Sequence, residues 1–240
     1  MTDAELAARL AEGAGAILMA IRDRGLLAGK ALGKAGDAAA NAFLVAALAE
    51  QRPDDGLLSE EQADTRERLG KSRVWIVDPL DGTREYGEGR DDWAVHVALS
   101  IDGVARIGAV ALPAQGLVLR SDAPPPPVAR PARPRLLVSR SRRPAECDRL
   151  AGRLDADIVP MGSAGAKAMA VVLGQGDIYF HTGGQHQWDN AAPVAVALAA
   201  GMVATRVDGS AFVYNGPDTL LPDLLICAPD YIDQVRAALD

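Results

Sequence analysis

The sequence predicts a mixed fold of the α/β and α+β classes, with helices and sheets in layers. Helical spacing of apolar residues covers two stretches before residue 52. Short apolar runs typical of strands follow between residues 57 and 120, and two of them flank the hairpin sequence Asp102-Gly103. After residue 135, strand-type and helix-type segments alternate, which is typical of helices packed on a sheet.

Two helices and a series of strands are predicted in the first half. The first helix begins at Thr2 or Asp3 and ends at Gly25, a loop or loose hairpin covers residues 26–36, and the second helix begins at about Asp37 and ends at Gln51. Strands are predicted at 57–59, 74–77, 92–101, 104–112 and 116–120, with a Gly-bearing loop at 86–90.

A proline-rich segment separates the two halves. Pro124 to Pro127 are four consecutive prolines, and Pro131 and Pro134 follow among arginines, which excludes a helix or a central strand. We therefore expect lobes at 1–122 and 135–240, joined by a linker at 123–134. In the second lobe, strands are predicted at 135–139, 158–159, 177–180, 202–206, 211–214 and 224–227, and helices at 144–154, 166–173, from Asp189 and at 231–239.

Composition excludes several functional classes. The 240 residues are 49% hydrophobic and 24% charged, with a net charge of −7 and a pI near 5.0. Such a chain lacks the basic face that binding a nucleic-acid polymer or an anionic membrane requires. Only two cysteines occur, without metal-ligand spacing, and we find no signal peptide or membrane-length apolar run. We expect a cytoplasmic protein; the oligomeric state stays open, with a homodimer among the alternatives.

The most informative stretch is Asp78-Pro79-Leu80-Asp81-Gly82-Thr83, which follows the apolar run 74–77. We expect the strand to stop at Asp78-Pro79, so that two carboxylates lie on a sharp turn. Carboxylates and a backbone carbonyl there suit a hard cation, and a helix that begins at Gly82-Thr83 would offer N–H groups to phosphate. The alternative is an ordinary turn, because Asp, Pro and Gly are common turn residues.

These six residues resemble the metal-binding motif of the inositol monophosphatase superfamily, and several other segments resemble the same superfamily. The similarity covers nearly the whole chain and is greatest to its bacterial 3′(2′),5′-bisphosphate nucleotidase branch, the CysQ type. It implies a layered αβαβα sandwich of the sugar phosphatase type. Segments that support it include Leu58-Ser59-Glu60-Glu61, Gly36-Asp37-Ala38-Ala39-Ala40-Asn41, Gly162-Ser163-Ala164 and Trp188-Asp189.

The resemblance also implies roles for individual residues. It makes Glu60, Asp78, the Leu80 carbonyl, Asp81 and Asp189 metal ligands, Glu61 a nearby second carboxylate, and Asp37 with Thr83 the pair that orients and deprotonates water. It assigns substrate or phosphate contacts to Gly82, Thr83, Arg84, Gly162, Ser163, Ala164, Lys167 and His181. Structural alternatives stay open: a helix N-cap for Asp37 and for Asp189, an acidic helix start at 59–69 for Glu60 and Glu61, and helix–sheet packing for 162–165.

The resemblance implies a phosphatase with two or three Mg²⁺ ions, Mn²⁺ being an alternative, that is inhibited by lithium and acts in sulfur metabolism. Its substrate would be a small phosphate ester, in the first place adenosine 3′,5′-bisphosphate, which would lose its 3′-phosphate to metal-activated water. Inositol monophosphate and fructose 1,6-bisphosphate are the alternative substrates. A catalytically inactive metal-binding interaction protein is the alternative from another class. His96 is expected to be structural, and His186 to contact substrate if it has a role.

Overall fold

The computed structural model describes residues 1–141 and 143–239. The helices are α1 (Asp3–Asp23), α2 (Gly29–Gln51), α3 (Thr83–Gly87), α4 (Glu146–Leu154), α5 (Ala164–Val172), α6 (Gln187–Ala199) and α7 (Ile232–Leu239). The strands are β1 (Gly56–Ser59), β2 (Arg73–Asp81), β3 (Ala94–Ile101), β4 (Val104–Leu112), β5 (Leu117–Arg120), β6 (Arg135–Ser139), β7 (Asp157–Met161), β8 (Ile178–His186), β9 (Val203–Thr205) and β10 (Leu220–Cys227). Single 3₁₀ turns lie at Glu67–Gly70, Pro113–Gln115 and Pro229–Tyr231.

The strands form two mixed sheets, one from strands that precede the proline-rich segment in the chain and one from strands that follow it. The first sheet has the order β1-β2-β3-β4-β5, with β1 parallel to β2 and the other pairs antiparallel. The second has the order β7-β6-β8-β10-β9, in which β6 is parallel to both of its neighbours and the remaining pairs are antiparallel. The hairpin predicted at Asp102-Gly103 is confirmed.

Helices and sheets alternate in layers, which confirms the predicted fold class. Helices α1 and α2 contact each other and cover the first sheet, through β2, β3 and β4. Helix α6 contacts β2, β3 and β4 as well as β8, β9 and β10, so it lies between the two sheets, and α5 packs beside it. Helices α4 and α7 complete the layers against the second sheet. None of the helices in the described residues is long and apolar enough to cross a membrane.

Helix α2 begins eight residues before its predicted start, and this corrects two expectations. Residues 29–36 are helical rather than a loop, and Asp37 lies inside the helix instead of capping it. The glycines that suggested a loop are needed for packing. A Cβ on Gly33 would lie 2.7 Å from Cγ2 of Thr83, and one on Gly36 would lie 2.9 Å from atoms of Leu18 and Tyr86.

Several strand and helix boundaries also differ from the predictions. Strand β2 continues through Asp81, β8 continues to His186, and residues 211–214 form no strand. Residues 60–66 are not helical, so the acidic helix start proposed for Glu60 and Glu61 is wrong. Pro193 is the seventh residue of α6 and lies beyond the first turn, where a proline is tolerated best.

A chain of hydrogen bonds joins the segment after β1 to the start of α6. Arg68, which is buried, binds Asp64 through two bonds and donates to Oδ1 of Asn215 at 2.8 Å. The N–H group of Asn215 donates in turn to Oε1 of Gln187, the first residue of α6, at 2.8 Å. The segment that carries Glu60 is therefore held against the helix that carries Asp189.

Candidate active site

The register between β2 and β3 explains why Asp78 and Asp81 face the same cavity. Along a regular strand, residues three apart point to opposite faces. Asp78 pairs with His96 and Asp81 with Ala94, so three steps along β2 correspond to two steps along β3. This β-bulge inserts one residue and brings both carboxylates to one face. Both side chains are buried.

Asp189 joins these two carboxylates from α6, the helix that lies between the two sheets. One ligand atom from each of Asp78, Asp81 and Asp189 lies within 4.8 Å of the others. Asp189 is the third residue of α6, and its Oδ2 accepts the N–H group of His186 at 2.6 Å. The helix N-cap is His186, so the N-cap alternative for Asp189 is wrong, although its carboxylate does help to close the capping box.

Like charges and burial raise the pKa of most acids around this cluster. Burial, the charge of Glu61 and that of Glu60 raise the pKa of Asp37 to about 8. Glu60 is exposed at its surface, yet desolvation in the cleft and the charge of Asp189 raise its pKa to about 7. The pKa of Asp189 rises to about 6 through burial and Asp81, and that of Asp78 rises well above its ordinary value. Burial and mutual repulsion therefore favour the protonated forms of these groups unless a counter-charge is present.

Asp81 behaves differently because donors surround it. It accepts hydrogen bonds from Oγ of Ser163 at 2.5 Å and from the N–H groups of Ala164 at 3.1 Å and Gly165 at 2.6 Å. Nε2 of His96 lies 3.2 Å from Oδ2 of Asp81. Burial acts to raise the pKa of Asp81, but the His96 charge and these hydrogen bonds lower it to about 2. Asp81 therefore also holds the N-terminus of α5.

His96 lies behind the acid cluster, and its contacts are consistent with the structural role expected for it. It is fully buried, and its Nδ1 lies 2.9 Å from the Trp188 carbonyl, next to Asp189. Alternation along β3 puts it on the face opposite Val95 and Val97. The sequence pattern shows only which face of the strand His96 lies on. It does not show that this face is also buried, or that it packs against α5 and α6.

The donor set fits a divalent cation of the Mg²⁺ type. The three clustered groups offer only carboxylate oxygens, which hard cations prefer. Oδ2 of Asp78 and Oδ1 of Asp37 are buried without a hydrogen-bond partner among the described residues. Buried acceptor atoms without a partner, next to acids with raised pKa values, are typical of a site that binds a positively charged ligand.

Thr83 and Gly82 follow the acids directly. Gly82 has a φ of 90°, and a Cβ on it would lie 3.1 Å from Cβ of Trp93, so a side chain there would be both strained and crowded. Thr83 begins the short helix α3, as predicted. Its hydroxyl donates to the Leu80 carbonyl at 3.1 Å. Among the hydrogen bonds of the described residues, none joins Thr83 to Asp37, so the predicted pairing is not formed.

Two adjoining cavities contain the predicted site residues. The first, of about 370 Å³, is lined by residues of both sheets and of α5, including Glu60, Asp78, Leu80, Asp81, Gly82, Thr83, Arg84, Gly162, Ser163, Ala164, Lys167, His181 and Asp189. The second, of about 750 Å³, is lined by Asp37, Glu60, Glu61, Thr83 and Arg84 together with Lys30, Lys34, Gly29 and Glu88. The structure thus brings all predicted residues to one region, with Asp37 in the second cavity.

The cationic side chains that line the cavities differ in their solvent exposure and in their hydrogen-bond partners. Arg84 is exposed and pairs with Glu88 at 2.8 Å. Lys167 is buried; its ammonium group donates to the carbonyls of Gly162 and Ser163 and lies 5.1 Å from the ring centroid of Tyr179. Burial lowers the pKa of Lys167 to about 8, even though neighbouring acids such as Asp81 oppose the shift. Lys167 is thus a cation on the wall of the first cavity.

The pKa shifts predict how the metal-free protein responds to pH. The ordinary pKa values of Asp and Glu are 3.8 and 4.5, and the folded values of Asp37, Glu60 and Asp189 lie near 8, 7 and 6. The folded state then binds protons more tightly than the unfolded state, so stability is complete below pH 4 for these groups and is lost as the pH rises through 6 to 8. We expect the melting temperature in EDTA to fall over that range.

Excess Mg²⁺ should remove or reverse this trend, because a cation binds the deprotonated carboxylates of the folded state. Thermal unfolding by differential scanning fluorimetry, at matched ionic strength with EDTA or Mg²⁺, measures both effects. A metal-free melting temperature that stays constant or rises between about pH 5.5 and pH 8 would contradict the charge assignment at this cluster.

Comparisons with known proteins place this geometry in a known context. The model of the inositol monophosphatase family matches residues 4–239. The chain is 49% identical over 245 aligned positions to a 3′-phosphoadenosine 5′-phosphate phosphatase from Mycobacterium leprae, which covers 96% of this chain and 90% of that protein. It is 32% identical over 199 positions to the 3′(2′),5′-bisphosphate nucleotidase CysQ of Escherichia coli K12, which covers 78% of this chain and 81% of that one. The fold matches the crystal structure of CysQ from Bacteroides thetaiotaomicron with a TM-score of 0.80 and 24% identity, over 94% and 97% of the two chains.

Proposed function

This chain belongs to the inositol monophosphatase family, and we propose that it is a Mg²⁺-dependent phosphatase that removes the 3′-phosphate of adenosine 3′,5′-bisphosphate. The observation that carries the proposal is the cluster of Asp78, Asp81 and Asp189 within 4.8 Å on the wall of a cavity that also holds Lys167. The names of the relatives described above support the nucleotide as substrate.

The cations would be held by Asp78, Asp81, Asp189, Glu60 and the Leu80 carbonyl. We propose two or three Mg²⁺ ions, with Mn²⁺ as a substitute. Bound divalent ions of this kind polarise phosphoryl oxygens and lower the pKa of water. Every proposed side-chain ligand lines the first cavity, which is consistent with sites close to one another.

The chain's own residues would position the attacking water. The Leu80 carbonyl accepts the hydrogen of the Thr83 hydroxyl, so a lone pair of Thr83 Oγ1 is free to accept a hydrogen from water. Asp37, Glu60 and Glu61 line the cavity beside Thr83 and offer carboxylates that can take the water proton. The water oxygen then forms the new bond to phosphorus, and the ester oxygen leaves with the nucleoside and gains a proton.

The leaving group would lie against the second sheet. Lys167, Ser163, Ala164 and His181 line the first cavity on that side, and Lys167 is the buried cation available to a second phosphate. Arg84 lies at the edge of both cavities and is proposed to contact the substrate from solvent. Arg90, by contrast, lines neither cavity and forms a double hydrogen bond with Asp92.

The experiment that tests the proposal is phosphate release with Mg²⁺ from adenosine 3′,5′-bisphosphate, inositol 1-phosphate and fructose 1,6-bisphosphate at equal concentrations. We expect kcat/KM to be highest for the nucleotide, because only the nucleotide offers both a second phosphate and a base to the cavity. Higher kcat/KM for inositol 1-phosphate would favour the alternative monophosphatase function, and no Mg²⁺-dependent release from any of the three would contradict the enzyme assignment. Inhibition by lithium is expected in the same assay.

The proposed function also has consequences for location, domain organisation and assembly. We propose that the protein acts in the cytoplasm, where its two buried, unpaired cysteines Cys147 and Cys227 would stay reduced. We propose that residues 1–122 and 135–240 are lobes joined by the linker 123–134. A homodimer is testable by sedimentation.

A further inference from the structure

The end of β8 turns one neutral polar side chain into the first cavity. Gly183 and Gly184 have φ values of 86° and 88°, and the pairing of β8 with β10 shifts register between Leu221 and Asp223. Gln185 follows this irregular stretch and pairs with Leu221. Its side chain is only 5% exposed and lines the cavity together with Lys167 and Asp189.

Half of the Gln185 amide has no partner in the protein. Its Nε2 donates to the Tyr179 hydroxyl at 2.8 Å, whereas its Oε1 is buried and accepts no hydrogen bond from any described residue. A buried carbonyl oxygen left unpaired destabilises the folded protein, so such a group usually has a partner that comes from outside the chain, such as a water molecule or a ligand.

The pair formed by Gln185 and Tyr179 has unused hydrogen-bonding capacity in either amide orientation. If Nε2 donates to the hydroxyl, Oε1 of the amide and the hydrogen of the hydroxyl stay available. If the amide is flipped, the hydroxyl donates to the carbonyl and both amide hydrogens stay available. Tyr179 is itself held in place, fully buried beneath the ammonium group of Lys167. The pair is therefore a fixed, neutral hydrogen-bonding surface.

The position and charge of this pair identify what it binds. Gln185 and Tyr179 belong to the second sheet, whereas Gly82 and Thr83, which line the same cavity, lie at the start of α3 directly after β2 of the first sheet. Carboxylates, of which the site has several, are the better ligands for Mg²⁺, and Lys167 is the better partner for a phosphate. A neutral amide is suited instead to a neutral polar group, such as a ribose hydroxyl or the edge of a nucleobase.

We propose that Gln185 is a specificity-determining residue whose side-chain amide hydrogen-bonds a neutral polar group of the nucleoside leaving group, with Tyr179 as its positioning residue. The inference rests on the proposed function, because it assigns the nucleoside of that substrate to a named side chain. A nucleotide would gain this bond, whereas an ester with a small polyol leaving group would not reach it.

Gln185→Leu removes the amide at similar volume. We expect kcat/KM for adenosine 3′,5′-bisphosphate to fall by about 10- to 100-fold, the range for losing one hydrogen bond in a buried site. The loss for glycerol 2-phosphate should be at least tenfold smaller. Gln175→Leu, which changes an exposed glutamine on the turn after α5, is the matched control and should affect neither substrate differentially.

Tyr179→Phe removes only the hydroxyl that holds the amide. We expect a smaller loss in the same direction, as a rise in KM for the nucleotide that exceeds any change in kcat. Circular dichroism and thermal unfolding check folding, and Gln185→Met is the second variant if the leucine variant does not fold. Equal losses for both substrates, or no loss for the nucleotide in any variant, overturn the inference. If the wild-type protein releases no phosphate from the nucleotide, the proposed function fails first, and the inference fails with it.

Discussion

Asp78→Asn is expected to abolish Mg²⁺-dependent phosphate release, with a fall in kcat of about 1,000-fold or more, while the protein stays folded. Asparagine retains the oxygen that accepts the Leu80 N–H group at 3.0 Å, and it places a neutral NH₂ group where the unpartnered Oδ2 of Asp78 now lies. One carboxylate fewer weakens the cation site, and a metal contribution of several kcal/mol corresponds to losses of this size.

Two measurements separate loss of the cation from loss of the fold. The rise in melting temperature on adding Mg²⁺ should shrink in the variant, because a weaker ligand stabilises the folded state less. Without metal, the variant should keep its stability better than the wild type at about pH 8, since one member of the acid cluster is neutral. Asp233→Asn makes the same charge change at an exposed position of α7 and serves as the control. Turnover within tenfold of the wild type would remove Asp78 from the site.

Asp78 is a cleaner target than Asp81, although the motif gives both the same expected role. Asp81 accepts hydrogen bonds from Ser163, Ala164 and Gly165, so an amide there would present an NH₂ group to at least one N–H donor of α5. A loss of activity in Asp81→Asn would therefore combine a metal effect with displacement of the helix.

Gly165→Ala is expected to destabilise the protein by about 1–3 kcal/mol, the usual range for overpacking, and to lower kcat/KM at least tenfold. A Cβ at this position would lie 2.0 Å from Nε2 of His96. The Gly165 backbone cannot move away freely, because its N–H group donates to Asp81 at 2.6 Å. The clash must therefore displace His96, Asp81 or the start of α5, and all three are part of the site.

Gly152→Ala is the matched control for that prediction. Gly152 lies in α4, and a Cβ there would have no neighbour within 4 Å, so alanine should be neutral or stabilising by up to about 1 kcal/mol. Chemical denaturation gives the stabilities, and phosphate release gives the activities. In a double variant with His96→Ala, the destabilisation caused by Gly165→Ala should be smaller than in the wild-type background. Equal stability for Gly165→Ala and the wild type would contradict the close packing described here.

Sequence reasoning identified the acids but not the contacts that hold them. The motif around Asp78 and Asp81 identified both carboxylates, and the resemblance added Glu60 and Asp189. The sequence could not predict the contacts of His96, because alternation along a strand shows which face a residue lies on but not what packs against that face. Nor could it find Gln185, since the strand was predicted to end at Phe180, whereas it continues to His186.

The boundary errors have the same physical origin. Gly33 and Gly36 have low helix propensity, and tertiary packing against Thr83 and Tyr86 overrides that preference. Residues 211–214 have the apolar pattern of a strand, yet Tyr214 is used elsewhere: its N–H group donates to the Gly103 carbonyl and its hydroxyl to Asn190. Local pattern determines which residues are buried, while the choice of partner depends on residues far away in the chain.

The hydrogen bonds from the first turn of α5 to Asp81 have one thermodynamic consequence. Under the proposed function, a cation bound by Asp81 would share its oxygens with the N–H groups of α5, whose first residues line the cavity in which the nucleoside would lie. Binding of the cation and binding of the nucleoside are then linked, and such linkage is reciprocal. The nucleoside should change magnesium affinity by the same factor by which magnesium changes nucleoside affinity.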